Sequence, residues 1–174
     1  MNRRTLLVAL GGLGLTGASA WLLGNDLGSS ADLPLRVETM DAQGSEAGEV
    51  RLPVENTVTV LDLFATWCSP CKKQMDALDA VHRDFGDEVA MVSVTNERVG
   101  GSLSKADIRD WWRTHDGGWT VGLDPDSEIA SALGAHGIPY VVVFDADGEV
   151  RWQDGGLTDE GVLRKQIADA LAER

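Results

Sequence analysis

The sequence predicts an α/β domain in which helices flank a mixed β-sheet. Three observations carry that reading. Thr57 to Phe64 is a β-branched, apolar run, as expected of a central strand buried on both faces. Pro70 to Phe85 follows at once and carries Met75, Leu78, Val81 and Phe85 at helical spacing. Two further apolar runs, Val89 to Thr95 and Tyr140 to Asp145, supply more strands.

Taken in chain order, Asp32 to Arg51 is expected to add one or two short strands ahead of the core. Between the second and third apolar runs lie two helical candidates. The first starts at Ser104, where Ser104-Lys105-Ala106-Asp107 reads as a capping sequence. The second takes Asp124 as its cap, Pro125 in its first turn and Gly134 at its end. Asp147-Gly148 turns the third strand into a hairpin partner over Glu149 to Gln153. A last helix runs from Thr158 to the C-terminus with Leu163, Ile167 and Leu171 on its buried face.

The chain has 174 residues, which suits one domain behind an N-terminal leader, and 43% hydrophobic residues, enough for a real core. Its formal net charge is -13, from 28 acidic against 15 basic residues. Such a surface repels phosphate backbones, so nucleic acid is excluded as a partner. The only lysines are Lys72, Lys73, Lys105 and Lys165, and the acidic, lysine-poor balance fits a protein of a high-salt environment. An ordinary acidic domain is the alternative.

Residues 1–25 read as an export signal or N-terminal membrane anchor, 26–31 as a linker and 32–174 as the folded domain. Asn2-Arg3-Arg4-Thr5-Leu6-Leu7 is a basic start before an apolar run, and its paired arginines resemble a twin-arginine export signal. Ala18-Ser19-Ala20 supplies a small-x-small cleavage pattern, so secretion after cleavage near Ala20 is one fate. The apolar stretch runs on through Leu23, about the shortest length that spans a bilayer, so an uncleaved anchor is the other. Either way the domain is expected outside the cytoplasmic membrane.

The chain has two cysteines, Cys68 and Cys71, in Trp67-Cys68-Ser69-Pro70-Cys71. One pair is too few for a disulfide scaffold, and His82, His115 and His136 show no ligand spacing, so no metal site is expected. Placed between a buried strand and a helix, the pair reads as a redox dithiol. First-turn amides and the helix dipole favour a thiolate at Cys68, and two intervening residues let both sulfurs meet on one turn. Pro70 suits a first turn, where no amide donor is needed. Trp67 is expected to pack beside the sulfurs and shape a docking surface. Asp62 stands in the apolar strand six positions before Cys68. Burial should raise its pKa until it exchanges protons near neutrality.

The segment from Val60 through Trp67-Cys68-Ser69-Pro70-Cys71 to Lys73, with Gly137-Ile138-Pro139-Tyr140-Val141-Val142-Val143-Phe144-Asp145 later, resembles the thioredoxin superfamily, and more closely its exported TlpA/ResA group. The resemblance runs from about Asp32 to the C-terminus and implies the thioredoxin fold, with a helical insertion around Ser104 to Asp116. It implies that Pro139 is a cis-proline and that the Ile138 main chain pairs with an extended substrate. It also implies that Asp62 relays the proton of the resolving Cys71. Many exported relatives have Asn at that position, and the glutamate they often carry three residues after the second cysteine is Gln74 here.

The expected activity is thiol–disulfide exchange, with reduction of protein disulfides as the forward direction and no organic cofactor. The electron donor is then another exported or membrane thiol protein. Four alternatives stay open. The same site run backwards is a disulfide oxidase. A peroxidase needs a Pro-x-x-x-Thr-x-x-Cys setting, which Asp62 to Cys68 lacks, and a copper chaperone needs three residues between the cysteines plus a distant His such as His136. The last is an interaction module with a vestigial dithiol. Trp111 and Trp112 form either core or a partner surface. His136 lies either beside the proline loop or on open surface, and Lys72 and Lys73 offer weak electrostatic support to the thiolate.

Overall fold

A computed structural model describes residues 33–86 and 88–173. The leader and linker assignments lie outside the described residues. Seven strands form one sheet in the order β2-β1-β5-β4-β3-β6-β7. The strands are β1 (Leu35–Thr39), β2 (Gly48–Leu52), β3 (Thr59–Phe64), β4 (Ala90–Thr95), β5 (Thr120–Leu123), β6 (Tyr140–Phe144) and β7 (Val150–Gly155). The helices are α1 (Ser69–Phe85), α2 (Lys105–Thr114), α3 (Glu128–Ala132) and α4 (Glu160–Ala172).

The central strand β3 is buried at every position. It pairs in parallel with β4 and antiparallel with β6, so the expected mixed α/β sheet is present. Side chains alternate across its two faces. Val60 and Phe64 join Met75 and Leu78 of α1, Ile108 and Trp112 of α2 and Leu163 and Ile167 of α4 in one cluster. Leu61 and Leu63 join Ile129 and Leu133 of α3 in another. Helices therefore cover both faces, with α3 alone on the second.

The Ser104 cap is formed in full. Its hydroxyl accepts from the Asp107 amide, and the Asp107 carboxylate accepts from the Ser104 amide. Two expectations need correction. The insertion after β4 contains a strand as well as a helix: β5 pairs in parallel with β4 and antiparallel with β1. Four residues that include Gly122 carry too little pattern to announce a strand, and pairing on both sides supplies what propensity lacks. Gly122 is required there, because a Cβ would lie 2.6 Å from Val37 Cγ1. Secondly, α3 starts at Glu128, not beside Asp124. Asp124 and Pro125 occupy a preceding turn, closed by the Ser127 amide donating to the Asp124 carbonyl. The Asp124 carboxylate still accepts from the Glu128 and Ile129 amides, at 2.8 and 2.9 Å. It caps the helix from one turn further back.

Candidate active site

Parallel pairing of β3 with β4, and antiparallel pairing of β3 with β6, bring three loops to one end of the sheet. These are the β3–α1 turn with both cysteines, the segment after β4, and the Gly137-Ile138-Pro139 segment before β6. Carboxyl ends of parallel strands are where α/β sheets place their chemistry.

Cys68 is the N-cap of α1, and its Sγ accepts from the Cys71 amide at 3.2 Å. The two cysteines are joined by a disulfide with Cα atoms 5.3 Å apart. Both are buried, whereas Trp67 beside them is 72% exposed. Trp67 therefore projects into solvent next to a buried disulfide, and does not pack down as expected. Pro70 falls in the first turn of α1, exposed, and that turn holds no acidic residue. Negative charge at Cys68 meets the free amides of a helix start and no nearby carboxylate on the same turn.

The Ile138–Pro139 bond is cis. Pro139 is buried, and its carbonyl accepts from the Gly156 amide at 2.8 Å. Ile138 is half-buried and packs against both hydrophobic clusters. Trp67, Ile138 and His136 line a groove of about 450 Å³, walled on the other side by α3 through Ala130 and Ser131. His136 is exposed and belongs to this groove, so it stands beside the proline loop. Lys72 and Lys73 are exposed.

Asp62 is 2% exposed. Burial pushes its carboxyl up to about 7, opposed in part by the Ser93 hydroxyl, which donates to Oδ2 at 3.0 Å. Its Oδ1 has no partner among the described residues. By strand alternation Asp62 shares the face of Val60 and Phe64, whose cluster includes both cysteines. Trp67 and Ile138 thus share one groove, Cys68, Pro70 and Cys71 follow Trp67 at the start of α1, and Asp62 lies within β3 on the face whose cluster holds both cysteines.

The tryptophans of α2 are core. Trp112 is fully buried and donates from Nε1 to the Gln43 carbonyl at 2.9 Å. Trp111 is half-buried and stacks on Phe64 at 4.9 Å between ring centroids. Among the described residues no cluster of three or more His, Cys, Asp or Glu side chains is placed to hold a metal. No described helix is long and apolar enough to cross a membrane.

Sequence reasoning missed the roles of three residues. Glu97, just past β4, accepts from the Thr66 amide at 2.7 Å and the Thr66 hydroxyl at 2.8 Å, and so clamps the turn that leads into Trp67-Cys68. An acid placed directly beyond a parallel strand was the available signal. Gln74 is fully buried and makes two bonds to Thr158: its amide donates to the carbonyl at 3.1 Å and its carbonyl accepts from the amide at 2.8 Å. It ties α1 to the entry of α4. Ser93 was read only as part of an apolar strand.

Against known proteins, the AhpC/TSA family matches residues 36–153. The thiol:disulfide interchange protein CycY of Rhizobium leguminosarum bv. viciae is 21% identical over 149 residues, 81% of this chain and 77% of the relative. The thiol-disulfide oxidoreductase YkuV of Bacillus subtilis is 24% identical over 115 residues, 66% of this chain and 78% of the relative. Among solved structures, StoA from Bacillus subtilis superposes with a TM-score of 0.62 at 20% identity, covering 77% of this chain and 97% of that one. A thioredoxin-like protein in its oxidised form gives 0.61 at 25% identity, covering 79% and 97%. The fold is the thioredoxin fold.

Proposed function

The chain belongs to the AhpC/TSA family, and within it we propose a thiol–disulfide oxidoreductase that reduces protein disulfides outside the cytoplasmic membrane. The observation that carries this reading is the Cys68–Cys71 disulfide at the start of α1, one turn long, buried, and next in sequence to an exposed Trp67. The curated relatives CycY and YkuV bear thiol–disulfide exchange in their names. Location outside the membrane rests on the basic, apolar leader at residues 1–25.

In the reducing direction the Cys68 thiolate attacks one sulfur of a substrate disulfide and forms a mixed disulfide. Cys71, deprotonated with help from Asp62, attacks Cys68 Sγ and expels the substrate as a dithiol. The enzyme leaves as the disulfide, two electrons poorer, and an exported or membrane thiol protein restores it. Trp67, Pro70 and Ile138 form the docking rim, and the buried Pro139 behind Ile138 sets that main chain to pair an extended substrate segment. No step calls for an organic cofactor or a metal.

The test is the reduction potential of the Cys68–Cys71 couple, set by thiol-buffer equilibration of the full-length chain at low and high salt. A value near or below about -250 mV supports the reductase direction. A value above about -150 mV makes the protein an oxidant and overturns that direction, leaving the dithiol as the working group.

A further inference from the structure

A hydrogen-bond chain crosses the buried face of the sheet and ends on Asp62. Trp119 is 4% exposed and donates from Nε1 to Ser93 Oγ at 2.9 Å, and Ser93 Oγ donates to Asp62 Oδ2 at 3.0 Å. An indole N–H is a donor only, and a serine hydroxyl has one proton. Trp119 takes one of the two lone pairs of Ser93 Oγ, and Asp62 Oδ2 is the one acceptor for the Ser93 proton among the described residues, so that proton goes to Asp62. A proton on Oδ2 would face that hydroxyl proton head-on. The neutral acid therefore carries its proton on Oδ1, the oxygen without a partner.

We propose that Trp119 and Ser93 are positioning residues for the resolving step: they hold Asp62 as a one-sided acid whose Oδ1 alone takes up the proton of Cys71 and passes it on to water. This rests on the relay role given to Asp62 above. Cys71 Sγ–H passes its proton to Oδ1. The thiolate then bonds to Cys68 Sγ as the Cys68–substrate S–S bond breaks. The departing substrate thiolate gains a proton from water, and Oδ1 releases its own to water. Through all of this Oδ2 keeps the same donor, so neither protonation state of Asp62 requires the chain to reorient.

Burial and the Ser93 hydroxyl are the forces on this carboxyl. The buried cluster on the same face contributes Cys68 from the N-cap of α1, Cys71 and Met75 from α1, Val141 from β6 and Leu163 from α4. Of these only the cysteines titrate. His82 of α1 touches the far end of the chain, its ring centroid 5.2 Å from that of Trp119.

The experiment follows the Asp62 side-chain carbon by NMR across pH in the full-length reduced protein, beside the pH profile of its reaction with a small-molecule disulfide. Ser93→Ala removes a donor to the charged form, so the Asp62 midpoint should rise by about one pH unit or more. Trp119→Phe removes the donor that polarises the Ser93 hydroxyl toward Asp62, so the midpoint should rise there too, by less. The double variant should rise no further than Ser93→Ala alone, and Ser93→Thr, which keeps the hydroxyl, should hold the wild-type midpoint. The rate profile should move with the midpoint. An unmoved midpoint in Trp119→Phe, or full additivity in the double variant, overturns the chain. A midpoint that moves while the rate profile stays put overturns the link to Cys71. Loss of the broader function would look different: wild-type protein with no disulfide exchange at any pH, its Asp62 midpoint still responding to Ser93.

Discussion

Replacing Asp62 by Asn should change how stability depends on pH, and the structure sets the size of the change. Asp62 is 2% exposed, and its pKa rises from the ordinary 3.8 to about 7 on folding. Between those values the folded chain keeps a proton that the unfolded chain gives up. Stability is therefore lost as pH climbs through this window and levels off above the folded pKa. The whole shift corresponds to about 4 kcal/mol, of which about 3 kcal/mol falls between pH 5 and pH 8.5. The side chain introduced by Asp62→Asn cannot titrate and escapes that loss. Its amide leaves buried donors unpaired, at about 1–3 kcal/mol, but that cost is the same at every pH.

The assay is urea unfolding of the oxidised wild type and Asp62→Asn from pH 5 to pH 8.5. Oxidation removes both cysteines from the titration. Asp124 and Tyr140, whose pKa values are also raised, contribute equally to the two proteins and drop out of the difference. The variant's stability relative to wild type should grow by about 3 kcal/mol across the range. A difference that stays flat refutes the reading of Asp62 as a neutral acid below pH 7. It would also remove the proton reservoir from the proposed resolving step.

Three further outcomes follow from the site. Glu97→Gln replaces charge-assisted bonds to the Thr66 amide and hydroxyl; it should cost about 1–3 kcal/mol in urea unfolding and slow disulfide exchange, and an unchanged exchange rate would show that the clamp is only structural. Gln74→Ala leaves the Thr158 amide and carbonyl buried and unpaired, so thermal unfolding should report a loss of about 2–4 kcal/mol; a loss under about 0.5 kcal/mol would mean that water takes their place. Cys71→Ser should stall after the first attack and accumulate a mixed disulfide at Cys68, visible as an adduct by intact mass; a variant that turns over at the wild-type rate would exclude Cys71 as the resolving thiol.

What the sequence made legible was local. Thr57 to Phe64 and Pro70 to Phe85 declare themselves through period and composition, and the observed β3 and α1 differ from them by one or two residues at an end. The Ser104 cap was readable because serine and Asp107 satisfy each other within one turn. The dithiol and the proline were readable because their chemistry is carried by residue type. The misses share a different origin. Strand β5 exists because β4 and β1 offer it partners, and nothing within Thr120 to Leu123 states that. Glu97 reaches Thr66 across 31 positions, Gln74 reaches Thr158 across 84, and Trp119 meets Ser93 across 26. Such pairs are set by register between strands and by helix docking, which no window of sequence contains.

Gln74 and Asp62 are both buried on the dithiol side of the sheet, and the fold treats them differently. Gln74 is satisfied at both ends of its amide and reads as structure. Asp62 is satisfied at Oδ2 and orphaned at Oδ1. An orphaned buried oxygen costs about 1–3 kcal/mol, and a β-branched apolar residue in this all-buried strand would avoid that cost altogether. Stability therefore gives no reason for an acid at this position. Nor is the acid merely tolerated, since Ser93 and Trp119 commit two buried hydrogen bonds to fixing one of its oxygens. A buried acid with one oxygen held and the other without a partner among the described residues, on the face that carries both cysteines, is what the proposed relay through a single oxygen calls for.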